Sequence, residues 1–173
     1  MLVRASVAVL CAGLVCGATA SGQQQTPSQA LFRDVLLKDA KTASGVKRLL
    51  RTNAGFVTPA PAFADLTGDG KSDVVVTVEN GGAAGAVAAY VLTAEGASGG
   101  ALRVVLRSQS LYQGRVRISA TTVTVIAPVY ARGDDVCCTR QAVERDYAWD
   151  AAAKAFKHLG TRTVALGGGE TGR

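Results

Sequence analysis

Phe63-Ala64-Asp65-Leu66-Thr67-Gly68-Asp69-Gly70-Lys71-Ser72-Asp73-Val74-Val75-Val76, residues 63–76, is where the apolar pattern of the chain changes period. Upstream, Phe32, Val35, Leu36 and Ala40 recur at helical spacing. Downstream, short runs rich in Val, Tyr and Thr alternate between turn signals, which is the pattern of strands. Strands are expected at about 73–79, 86–94, 102–109, 114–120, 122–131, 141–149 and 155–164. Links as short as Asn80-Gly81-Gly82 favour antiparallel neighbours, because parallel pairing needs a long crossover. Leu102, Val104 and Leu106 alternate with Arg103 and Arg107, and Val116 and Ile118 with Arg115 and Arg117, so one face is expected to be core and the other wet. The expected fold is α+β: an N-terminal helix packed on a mainly antiparallel, twisted β-sheet, with strands dominating.

The helix is expected over about residues 27–42. Thr26, Pro27 and Gln29 form a capping box with proline at the first helical position. Gly45 interrupts the pattern, and Val46 to Leu50 fits either a second short helix or a first strand.

Before the helix, a short basic start from Met1 to Arg4 leads through an apolar run, Ala5 to Val15, to the small residues Ala18, Thr19 and Ala20. This is the pattern of a secretory signal peptide, and its apolar run is shorter than the about 20 residues that a membrane crossing needs. The expected organisation is a signal peptide at 1–20, a polar tether at 21–26, a single β-rich domain at 27–166 and a flexible tail at 167–173. Loss of Arg4 with no acid takes the formal charge from +6 to +5. A charge this mild, with no recognisable binding motif and in an exported chain, argues against nucleic acid as a partner. With 48% hydrophobic residues, the core is apolar rather than disulfide-built.

Asp65, Thr67, Asp69 and Asp73 place oxygen side chains at loop positions 1, 3, 5 and 9, Gly70 makes the turn at position 6, and Lys71 offers a backbone carbonyl at position 7. A hard cation such as calcium, which takes 6–8 oxygens, suits this spacing. Val76 stands at position 12, where an EF-hand has a bidentate glutamate. The same stretch resembles the FG-GAP, or VCBS-type, repeat of extracellular proteins. That resemblance implies a calcium loop between two strands, with the aspartates carried over onto Asp65, Asp69 and Asp73. Thr67 stands where the family more often has Asn or Asp. One copy does not imply a propeller, which closes with several blades.

Other candidate chemistry is sparse. Cys137 and Cys138 are adjacent, so a vicinal disulfide is their intramolecular option. His158, the one histidine, reads as an exposed strand residue. Arg103, Arg107, Arg115 and Arg117 would share the wet face of one hairpin if Gln109 to Gly114 were its turn, offering an anion-binding patch. These features point to an exported, non-catalytic binding or accessory protein, secreted or held in the periplasm or cell envelope, with calcium as its cofactor. Its expected partner is an envelope or extracellular polymer or protein, with anionic polymers favoured by the arginines. The alternatives are a cell-wall glycan hydrolase using carboxylates among Asp134, Asp135 and Glu144, and a thiol-redox protein using the cysteine pair.

Overall fold

The computed structural model describes residues 25–96, 100–132, 134 and 139–166. The expected signal peptide, the tail and the Cys137–Cys138 pair lie outside the described residues. Among the described residues two helices come first, α1 (Pro27–Lys38) and α2 (Ser44–Arg51). The capping box forms as read: the Gln29 N–H donates to Thr26 Oγ1 at 3.2 Å, and the Thr26 N–H donates to Gln29 Oε1 at 2.9 Å. α1 stops four residues before the expected end. Asp39 leaves helical geometry as the C-cap (φ −64°, ψ 118°), and its carboxylate is taken by Arg107 and Thr42. Val46 to Leu50, ambiguous in sequence, is helical, and buries Val46 and Leu50.

Nine strands follow among the described residues: β1 (Phe56–Val57), β2 (Ala62–Ala64), β3 (Asp73–Glu79), β4 (Ala86–Ala94), β5 (Leu102–Gln109), β6 (Arg115–Ser119), β7 (Thr122–Val129), β8 (Gln141–Asp150) and β9 (Ala155–Ala165). The seven expected strands are present, and β1 and β2 are additional. They make two antiparallel sheets rather than one. In the first the order is β1-β3-β4-β5, with β2 sharing the β3 edge with β1; in the second it is β6-β7-β8-β9. The single wet-backed sheet of the sequence reading is therefore corrected.

The physical reason lies in residues 110–114. Instead of turning β5 back on itself, this link runs along the start of β4: the Leu111 N–H donates to Val87 O, the Gln113 N–H to Ala84 O and the Gly114 N–H to Ala86 O. Ser110 and Gln113 adopt positive φ (63° and 51°) to do so, and the chain then enters the second sheet.

Alternation along β3 and β4 shows what each face meets. Val74, Val76, Val78, Tyr90 and Leu92 share a core cluster with Phe32, Leu36, Val46 and Leu50 of the helices. Val75 and Val91, on the opposite face by the strand period, cluster with Leu66 and with Val123 of the second sheet. Strands covered on both faces read as continuous apolar runs, which is why 74–76 and 86–92 show so little polar alternation.

Candidate functional site

The stretch that opens the strand region is the β2–β3 loop, held at both roots. Leu66 is 1% exposed in the cluster between the sheets, and Asp73, also 1% exposed, accepts at one oxygen from the Leu66 and Thr67 N–H groups at 2.8 and 2.9 Å. At the tip, Asp65 gathers three amides: Oδ1 accepts from Gly68 (2.7 Å) and Asp69 (3.2 Å), and Oδ2 from Gly70 (3.0 Å). Gly68 and Gly70 take φ of 73° and 78°, where a side chain would be strained. Asp69 Oδ1 accepts from the Lys71 N–H, and Lys71 Nζ donates to Gly96 O at 2.6 Å, tying the tip to the β4–β5 link.

Two observations bear on a cation here. Among the described residues, Thr67 Oγ1 is the buried side-chain polar atom with no hydrogen-bond partner, and it stands at loop position 3. Against that, no three acidic, cysteine or histidine side chains among the described residues are gathered into a metal-holding group. Asp69 is exposed at the tip, whereas Asp73 is buried at the root. The donors are all oxygens and one is orphaned, so the residue set fits a hard cation, while the carboxylates do not converge.

Residues 57–92 match the family model of the FG-GAP repeat. The match begins at Val57, takes in β2, the loop and β3, and ends at Leu92 within β4. It thus embraces three antiparallel strands, more than the loop by which the resemblance was read. The chain is also 36% identical over 69 residues to the uncharacterized protein YybI of Bacillus subtilis (strain 168), a stretch covering 39% of this chain and 26% of that relative. The chain thus spans about a quarter of that relative's length. No solved structure matches it significantly.

Outside the stretch that matches the FG-GAP model, the four arginines do not share one hairpin. Arg103 and Arg107 lie on β5, which pairs with β4, and Arg115 and Arg117 on β6, which pairs with β7. Arg107 forks onto Asp39 at 2.6 and 2.8 Å, and Arg103 pairs with Glu95 at 3.3 Å. Arg117 reaches both oxygens of Glu144 at 3.0 Å, and Arg162 clamps the same carboxylate and that of Asp146. Hydrogen bonding from Arg117 holds the Glu144 carboxyl below its ordinary range, against the opposing effect of burial. A general acid needs the reverse shift, which weighs against Glu144 in the hydrolase alternative. Asp134 caps a turn by accepting from the Ala131 N–H, and Asp135 lies outside the described residues. His158 is exposed, with its ring nitrogen 2.9 Å from Thr161 Oγ1.

Proposed function

We propose that this chain is an exported, non-catalytic binding or accessory protein of the cell envelope or extracellular space, whose FG-GAP loop is stabilised by calcium. The orphaned Thr67 hydroxyl carries the calcium assignment. A buried polar atom without a partner costs about 1–3 kcal/mol, and this one stands at a position where the loop spacing calls for a ligand. Asp65, Asp69 and Asp73, the Thr67 hydroxyl and the Lys71 carbonyl would hold the ion. FG-GAP repeats generally bind calcium and are typical of extracellular proteins, in keeping with the signal-like residues 1–20. Since the carboxylates must be drawn together against their mutual repulsion, affinity belongs at the loose extracellular end, about 10⁻⁴–10⁻³ M. Such an ion staples the loop and its three strands; it is not a signal switch.

Among the described residues no helix is long and apolar enough to cross a membrane. The reading is tested by sedimenting the purified full chain with envelope fractions, in millimolar calcium and in chelator. Binding predicts that the chain pellets with the fractions and does so more in calcium. Equal recovery in the supernatant with and without envelope material would contradict it.

A further inference from the structure

The FG-GAP loop forms one wall of a cleft of about 630 Å³ whose other walls are the β4–β5 end and the β8–β9 turn. Its size lies within the about 300–1,000 Å³ of small-molecule sites. Thr67 and Asp69 line it from the loop, Glu95 and Arg103 from the β4–β5 end, and Trp149 and Lys154 from the end of β8 and the β8–β9 turn. Arg103 organises the interior. Its Nε pairs with Glu95 Oε1 at 3.3 Å, its Nη1 donates to Lys154 O at 3.5 Å, and its guanidinium carbon sits 5.9 Å from the centre of the Trp149 ring. Phe156 backs that ring edge-on, with centroids 5.6 Å apart.

The chemistry of this lining selects a class of ligand. Asp69 and Glu95 set two negative charges against the two positive charges of Arg103 and Lys154, so the charged lining sums to zero. A polyanion gains from the cations and loses against the carboxylates. A wholly apolar ligand would strip water from all four charged groups while only Arg103 and Glu95 pair with each other. A molecule with many hydroxyls that donate to the carboxylates and accept from the cations, and with C–H edges that lie against Trp149 beside the Arg103 guanidinium, satisfies every wall at once. We propose that the cleft is a subsite for a neutral, hydroxyl-rich sugar, which names the ligand class for the binding role inferred above and rests on that reading.

Trp149 is the one tryptophan of the chain, so its fluorescence reports on this cleft alone. The full chain is titrated with cellotetraose, maltotetraose, mannotetraose and chitotetraose, and with tetragalacturonate as the charged counterpart. At least one neutral oligosaccharide should shift the emission saturably, and the shift should persist at high salt. Lys154→Gly should weaken that binding about tenfold, the equivalent of one lost hydrogen bond. Lys154 has a φ of 49°, which glycine adopts freely, so this variant keeps its fold. No shift with any neutral oligosaccharide overturns the proposal, as does a shift confined to tetragalacturonate or one unchanged in Lys154→Gly. Melting with and without calcium is recorded on the same samples. A calcium effect without sugar binding sinks the sugar site alone, and sugar binding without a calcium effect sinks the calcium loop alone.

Discussion

The Thr67 hydroxyl and the Asp73 carboxylate are a few residues apart, but removing them should act in opposite directions. Without metal, the orphaned Thr67 Oγ1 is a liability, so Thr67→Val is expected to raise stability in chelator by about 1 kcal/mol. The same change should shrink the gain that calcium brings. Urea midpoints measured in chelator and in millimolar calcium separate the two effects, and a variant destabilised in chelator would show that the hydroxyl has a protein partner. Asp73 accepts two loop amides while almost fully buried. Asp73→Ala leaves those amides unpaired and should lower stability by about 1–3 kcal/mol in both conditions. The loop was legible in the sequence because its donors fall within nine consecutive residues, 65–73, and their spacing is itself the signal. The arginine partners were not, because Arg107 finds Asp39 across 68 residues and nothing local marks the pair.

At the scale of elements, the segment that divides the fold into two sheets is the link from β5 to β6, and Gly114 is its tightest point. A Cβ there would stand 2.7 Å from Leu111 Cδ1, 3.0 Å from Leu111 Cβ and 3.3 Å from Ala86 O. Gly114→Ala must therefore push Leu111 off its seat between the sheets, and a loss of about 1–3 kcal/mol is expected. The check is a lowered urea midpoint at unchanged slope; an unchanged midpoint would mean that the link yields freely. Sequence alternation located β3 to β9 well, since each strand has its own period and its own turn signals. It could not assign strands to sheets. A five-residue link with two turn-forming residues reads as a hairpin, and only the backbone bonds to Ala84, Ala86 and Val87 divert it. β1 and β2 were missed because two or three residues are too few to show a period. The cleft was missed for a similar reason, since its walls come from the β2–β3 loop, the β4–β5 end and the β8–β9 turn, far apart in sequence.

For the whole molecule, three carboxylates tie distant elements together and set the response to acid. Burial raises the Asp39 pKa but is outweighed by hydrogen bonds from Arg107 and Thr42, so its net shift is downward. Glu144 is lowered first by its hydrogen bond from Arg117, and Asp146 by that from Thr124. A depressed folded pKa gives stability that is complete above the unfolded values, about 3.9 for Asp and 4.3 for Glu, and that is lost as pH falls through the lower folded values. Melting temperature should thus stay level from neutrality to about pH 5 and fall below about pH 4. In Glu144→Gln it should start lower at neutral pH and fall less steeply in acid; an acid limb identical to that of the wild type would remove Glu144 from the account. The claim that matters most is that calcium holds the β2–β3 loop in a molecule that already folds without it. An ion binding the folded state alone, at a hundredfold excess over Kd, stabilises by about 2.7 kcal/mol, which for a domain of this size raises the melting temperature by several degrees. The decisive measurement is the melting temperature of the wild type and of Asp69→Ala, each in millimolar calcium and in chelator. Asp69 is exposed at the loop tip, so its replacement should leave the chelator value within a degree or so while abolishing the rise in calcium. Equal melting of both proteins in both conditions would show that the loop is an Asp/Gly turn closed by its own amides, with no role for the ion.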